Sequence, residues 1–153
     1  MGKKKVVLTS GAFDIIHPGH IKMLWEAKKI GGKNSKLVVV LATDETIKKR
    51  KNRESLFNEK SRRFIMSNLK PVDEVIVGYK KFSFEKVLKK VKPDIIVFGY
   101  DQEDLMKEFK KFLEKKKMKI KIYRARHYKI GNINSTTDII NKVKKMLGRY
   151  DLT

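Results

Sequence analysis

The chain contains no cysteine. Disulfides, thiolate catalysis and zinc sites built on sulfur are therefore excluded. It contains no apolar run approaching the ~18 residues that cross a bilayer. The apolar stretch behind the basic start Lys3-Lys4-Lys5 is too short for a secretory signal and reads as a strand. These absences lead to the expectation of a cytoplasmic protein with no membrane partner. Proline is scarce, at 3 residues, and each marks a boundary. Pro18 suits the first position of a helix, where its missing N–H costs nothing. Pro71 and Pro93 each end a helix just before a strand, because the residue ahead of proline is pushed out of helical geometry.

Acidic residues are scarce relative to basic ones: 17 Asp and Glu stand against 38 Lys and Arg, a formal charge of +21. Such a field attracts anions, so nucleotides, nucleic acid and acidic surfaces all qualify as ligands. Most of the lysines fall on polar faces of predicted helices, as Lys107, Lys110, Lys111, Lys115, Lys116 and Lys117 do. The ordinary reading of such a run is a solvated face. A nucleic-acid partner is disfavoured further by the absence of a stacking platform of aromatics or a zinc-finger pattern. A Lys-, Glu- and Ile-rich chain without cysteine also suits a heat-adapted source. At 153 residues the chain reads as one domain, 1–153, large enough for a core of its own.

Short β-rich apolar runs alternate with helical patterns. Strands are predicted over Lys5–Thr9, Leu37–Ala42, Glu74–Val77, Asp94–Phe98 and Ile120–Tyr123. The second and fourth are nearly continuous apolar, as strands covered on both faces should be. Helices are predicted over Gly19–Ile30, Glu45–Lys51, Glu59–Leu69, Phe84–Val91, Glu103–Lys117 and Thr136–Leu147. The alternation argues for an α/β fold with a Rossmann-like, doubly wound, five-stranded parallel sheet and a C-terminal helix. In such sheets ligands bind beyond the carboxyl ends of the strands. Thr9 to His20, Thr43 to Arg53, Gly99 to Gln102 and Tyr128 to Thr137 are predicted to meet there.

The first of these segments carries the strongest signal, Gly11-Ala12-Phe13-Asp14-Ile15-Ile16-His17-Pro18-Gly19-His20. Two imidazoles sit three residues apart at the start of a helix, where free backbone N–H groups already favour anions. Zinc is a poor alternative, since the spacing differs from H-E-x-x-H and no good third ligand exists. Neither a G-x-G-x-x-G fingerprint nor a Walker A sequence is present. Phosphate binding must then rest on the helix start, the histidines and nearby lysines.

Gly11-x-Phe13-Asp14-x-x-His17-x-Gly19-His20 resembles the signature of the cytidylyltransferase-like nucleotidyltransferases, and the resemblance runs over essentially the whole chain. Ser135-Thr136-Thr137 looks like the family's second signature, a hydroxyl-rich turn opening the last helix. Lys48-Lys49-Arg50-Lys51-Asn52-Arg53 sits where the family has a basic loop, and Arg62-Arg63 where it has an arginine early in the next helix. Within the family, Pro93-Asp94-Ile95-Ile96 running into Gly99-Tyr100-Asp101-Gln102 resembles archaeal-type FAD synthases. Asp44-Glu45-Thr46 and Lys70-Pro71-Val72-Asp73 point the same way. The runner-up is a cytidylyltransferase using CTP and glycerol 3-phosphate, whose relatives carry Gly-Asp-Asp-Trp at 99–102. Ala12 stands where many relatives have Thr, and Asn52 where many have Gly.

The resemblance implies transfer of AMP from ATP to FMN, with a divalent metal, Mg²⁺, held mainly by the triphosphate. His17, His20 and Lys49 would be catalytic. Ser10, Gly11, Ala12, Phe13, His17, Pro18, Gly19, His20, Asp101, Tyr128, Ser135, Thr136 and Thr137 would bind nucleotide. Lys48, Lys51 and Arg62 are further candidate phosphate contacts, and a homodimer is expected. Plainer roles compete for several of these. Ser135 and Asp138 form a capping box that could merely start the last helix. Asp101 could cap the helix from Glu103, Tyr128 could be packing, and Arg62 could pair with Glu59 on the helix surface.

Overall fold

The computed structural model describes residues 4–149; Lys3 of the basic start lies outside them. Five strands form one parallel sheet: β1 (Val6–Gly11), β2 (Lys36–Leu41), β3 (Glu74–Val77), β4 (Ile95–Phe98) and β5 (Lys121–Arg124). Their spatial order is β3-β2-β1-β4-β5. Between them lie α1 (Pro18–Ile30), α2 (Asp44–Lys51), α3 (Glu59–Ser67), α4 (Phe84–Val91) and α5 (Glu103–Lys116), and α6 (Thr136–Arg149) follows β5. This is the Rossmann-like architecture that the alternation predicts. The chain winds outward from β1 to β3, then restarts at β4. The loops after β1 and β4 therefore leave their neighbouring strands in opposite directions and open a crevice at the carboxyl edge.

Boundaries move by a residue or two for identifiable reasons. β1 runs on to Gly11 because its pairing with β2 continues through Gly11 and Leu41. α2 starts at Asp44, with the Thr43 side chain accepting from the Thr46 N–H at 3.1 Å. α3 ends at Ser67, short of the predicted Leu69, where the Asn68 N–H turns back to the Ile65 carbonyl at 3.1 Å.

Each central strand alternates its side chains between two buried faces. Val7, Leu37, Val39, Leu41, Ile95 and Val97 pack with Leu24, Ala27 and Met66 of α1 and α3. Leu8, Val38, Val40, Ile96 and Phe98 pack with Leu88, Phe109 and Leu113 of α4 and α5. That double coverage is why no polar residue interrupts Leu37–Leu41. The two Lys-Pro segments have a matching physical role. Asp73 donates its N–H to the Leu37 carbonyl at 3.0 Å and accepts from the Leu37 N–H at 2.7 Å. Asp94 makes the same exchange with Val6, at 2.9 and 2.8 Å. Both aspartates thus hold the amino-terminal edge of the sheet, opposite the crevice.

Candidate active site

His17 and His20 are locked in one protonation pattern by the backbone. His17 is the residue preceding α1, and its Nδ1 accepts from the Gly19 N–H at 3.1 Å. The His17 N–H in turn donates to Nδ1 of His20 at 3.3 Å. Nitrogens that accept are unprotonated, so each neutral ring carries its hydrogen on Nε2. The rings lie 3.8 Å apart, and Phe13 meets His20 edge-on at 5.4 Å. Burial lowers the His17 pKa, with Asp138 and Asp101 opposing it. Burial, His17 and the Lys51 charge push His20 down to about 4. Both imidazoles are therefore neutral near pH 7 and act as N–H donors. Gly19 is needed because a Cβ there would stand 2.9 Å from the His17 ring; the imidazole fills that space.

The loops around the pair are tied by two buried groups whose importance the sequence does not advertise. The Asp14 carboxylate accepts from the Leu56 and Phe57 N–H groups at 2.7 and 2.9 Å, and pairs with Arg53 at 3.3 Å. Arg62 departs from both expectations for it. Its guanidinium is fully buried and donates to the carbonyls of Phe57, Ala12 and Ala42, and to Asp44 at 2.8 Å. Engaged by four acceptors below the loops, it reaches neither solvent nor a phosphate, and its partner is Asp44 rather than Glu59. Glu59 instead accepts from the Asp44 N–H at 2.9 Å. Burial raises the Asp44 pKa, but hydrogen bonds from Arg62, the Glu59 N–H and Ser55, with the guanidinium charge, outweigh it and hold the carboxyl low.

A cavity of about 430 Å³ opens at the carboxyl edge of the sheet. It gathers Ser10, Gly11, Ala12, Phe13, His20, Lys51, Asp101 and Thr136. His17, Pro18 and Gly19 form the helix start beside it. Asp101 is not the helix cap, because Gln102 precedes α5; its carboxylate is free to meet a ligand. Ser135 does cap α6, accepting from the Asp138 N–H at 3.1 Å, and Thr137 is exposed. Tyr128 sits along α1, its ring 5.9 Å from Lys22 Nζ and its pKa raised by burial and a hydrogen bond to Glu26. It is not part of the cavity wall. His127, isolated in sequence, stacks on Tyr100 at 3.7 Å.

The basic run is helical up to Lys51, and Asn52 closes α2 in the left-handed region at φ 49°, where asparagine is better tolerated than most residues. Successive helical side chains point about 100° apart. Lys48 and Lys49 are exposed and outside the cavity wall, whereas Arg50, Lys51 and Arg53 line it. Lys51 lines the cavity and its charge is felt by His20, so it is better placed than Lys49 to face a ligand there. Lys51→Ala should lower kcat at least ~10-fold, the scale of one lost charge contact to a transferring phosphoryl group. Lys49→Ala should leave it within about twofold. Steady-state kinetics of the two variants side by side decide the point; equal effects would reject it.

Gln102 supplies a strut that the residue order alone does not reveal. Its Oε1 accepts from the Gly99 N–H at 2.7 Å, and its Nε2 donates to the Ser10 carbonyl at 2.9 Å. Tryptophan, a donor only, cannot make both bonds. Gln102→Leu should cost ~1–3 kcal/mol, the penalty for an orphaned buried polar group, and raise KM for the nucleotide. Urea unfolding and initial-rate kinetics check both halves.

A parallel sheet whose carboxyl edge sets two neutral imidazole donors at a helix start, with cations facing them, defines an α/β domain of the nucleotidyltransferase type. The chain belongs to the cytidylyltransferase-like family, whose model matches residues 8–142. It is 47% identical over 139 residues to the FAD synthase of Methanothermus fervidus, covering 91% of this chain and 94% of that one. It is 41% identical over 152 residues to the FAD synthase of Methanopyrus kandleri, covering 99% of both. Among solved structures, the lipopolysaccharide core biosynthesis protein of Thermoplasma volcanium superposes with a TM-score of 0.74 at 38% identity. That match covers 83% of this chain and all of that one.

Proposed function

We propose that the protein is an FMN adenylyltransferase, transferring AMP from ATP to FMN to give FAD and pyrophosphate. The observation that carries this is its near full-length similarity to archaeal proteins named FAD synthase. The chemistry fits the site. An FMN phosphate oxygen bonds to the α-phosphorus while the bond from that phosphorus to the pyrophosphate oxygen breaks. The second pKa of a phosphate monoester is about 6, so the nucleophile is already largely ionised at neutral pH and needs no general base. What remains is to hold two polyanions together and to neutralise charge as it builds.

His17 and His20 would donate Nε2–H bonds to the α-phosphoryl and pyrophosphate oxygens. Lys51 would add a positive charge, and Thr136, at the start of α6, a hydroxyl and a helix N-terminus. Asp101 would contact the nucleoside. Among the described residues no group of three or more His, Cys, Asp or Glu could hold a metal ion. The similarity to FAD synthases implies a divalent metal; a Mg²⁺ would be held mainly by the triphosphate, would keep most of its waters and would supply positive charge beside the phosphate oxygens.

The test pairs α-labelled ATP or CTP with FMN or glycerol 3-phosphate. FAD formed only from ATP and FMN is the expected result, and CDP-glycerol would overturn the assignment. We also propose a cytoplasmic location and a homodimer. No helix among the described residues is long and apolar enough to cross a membrane. Sedimentation equilibrium showing the 17.9 kDa monomer mass would reject the dimer.

A further inference from the structure

The cavity wall includes a largely apolar part, here the apolar lobe, that the chemistry above does not use. It is walled by Ile47 and Arg50 of α2, Tyr79 and Phe82 of the segment after β3, Val87 of α4 and Leu105 of α5. Five of these six are apolar or aromatic, with Thr46, Ser83 and Asp104 lining the cavity beside them. Phe82 is 43% exposed but makes contacts with neighbouring side chains. It packs edge-on against Phe84 at 4.7 Å, and Phe84 meets the core residue Phe109 at 5.1 Å. The Arg50 guanidinium lies 4.8 Å over the Phe82 ring and 3.9 Å from Glu108 of α5, spanning the mouth from α2 to α5. Lys86 covers the Tyr79 ring at 5.3 Å.

Anions belong at helix starts. The starts of α1 and α6, together with Asp101, therefore suit the triphosphate and the ribose. The apolar lobe is left for the acceptor. We infer that this lobe binds a flat, largely apolar ring system, the isoalloxazine of FMN, seated against Phe82 and Tyr79 with the Arg50 guanidinium at its mouth. The inference rests on the adenylyl-transfer reading above. A planar tricycle matches aromatic walls through stacking and guanidinium–π contact. Glycerol 3-phosphate has no surface that could use such walls, so the lobe selects the acceptor class as well as binding it. Its phosphate end would point back towards Lys51 and His20.

The experiment measures KM for FMN and for ATP in the parent, Phe82→Ala, Phe82→Trp and Leu105→Trp proteins, with FMN fluorescence titrations of each. Phe82→Ala should raise KM and Kd for FMN roughly tenfold, the worth of one lost aromatic face, with KM for ATP unchanged. Phe82→Trp should restore FMN binding, and Leu105→Trp, which fills the lobe, should abolish it. Far-UV circular dichroism of each variant separates a lost subsite from a lost fold. FAD formation with unchanged KM for FMN in Phe82→Ala and Leu105→Trp overturns the subsite. A parent that binds FMN through Phe82 but forms no FAD overturns the reaction and leaves the subsite standing. A parent that binds no FMN overturns both.

Discussion

Replacing His20 by alanine should lower kcat for adenylyl transfer by ~10²–10³, the measured scale for deleting one preorganised donor to a developing anion. His20 lines the cavity, its Nδ1 is occupied by the His17 N–H, and its remaining nitrogen can only donate. His17 does two jobs that a pair of variants separates. Its Nδ1 caps α1, and losing a cap costs ~1 kcal/mol. His17→Ala should lose both stability and activity. His17→Asn, with a side chain favoured at that position, should keep the stability and lose the rate.

The pH dependence follows from the same hydrogen bonds. With His20 pushed down to about 4, no activity change between pH 8 and 5 should come from its titration. The fall in rate near pH 6 should follow protonation of the FMN phosphate. Stability behaves differently. The unfolded chain protonates residue 20 near pH 6.5, whereas the folded chain resists until about 4. The contribution is complete above 6.5 and is lost as pH falls from 6.5 to 4. His20→Ala should remove that part of the slope in urea midpoints measured across the window. Unchanged kcat in His20→Ala, or an unchanged slope, would count against the donor assignment.

Arg62→Leu should destabilise the protein by ~3–5 kcal/mol, the cost of breaking a buried charge pair by removing one partner. The change strips hydrogen bonds from three carbonyls and from Asp44 at once. Arg62→Lys should rescue little, because an ammonium cannot fan its donors across four acceptors from three segments. Activity should fall in the part of the population that stays folded, since Ala12, Ala42 and Phe57 belong to the loops that frame the cavity. Denaturant midpoints and rates at a temperature where each variant is folded check both effects. A midpoint for Arg62→Leu corresponding to less than 1 kcal/mol of destabilisation would reject this role.

Much of this was legible in the residue order. Apolar runs bounded by Lys-Pro and by Gly marked the strands, and a histidine pair around Pro18-Gly19 marked the helix start. Both signals are local: they depend on side-chain spacing along a few consecutive residues. Lys49 illustrates where locality ends. Four cations in succession, Lys48 to Lys51, look alike in sequence. Arg62 illustrates it again, since a charged residue early in a helix ordinarily faces water. Tyr128, in the segment that follows β5, is expected at the site, yet its ring lies beside Lys22 of α1.

The sequence by itself determined the alternation of elements, the parallel sheet and the anion-friendly turn after β1, because periodicity and capping are properties of neighbouring residues. Only the tertiary structure decided which cations of the basic run line the cavity, which arginine is buried and which aromatic residues line the cavity wall. Those outcomes depend on the rotation of each helix against the sheet and on contacts between residues tens of positions apart. Arg62 and Ala12, fifty positions apart in the chain, are brought together only when α3 packs beneath the loop that follows β1.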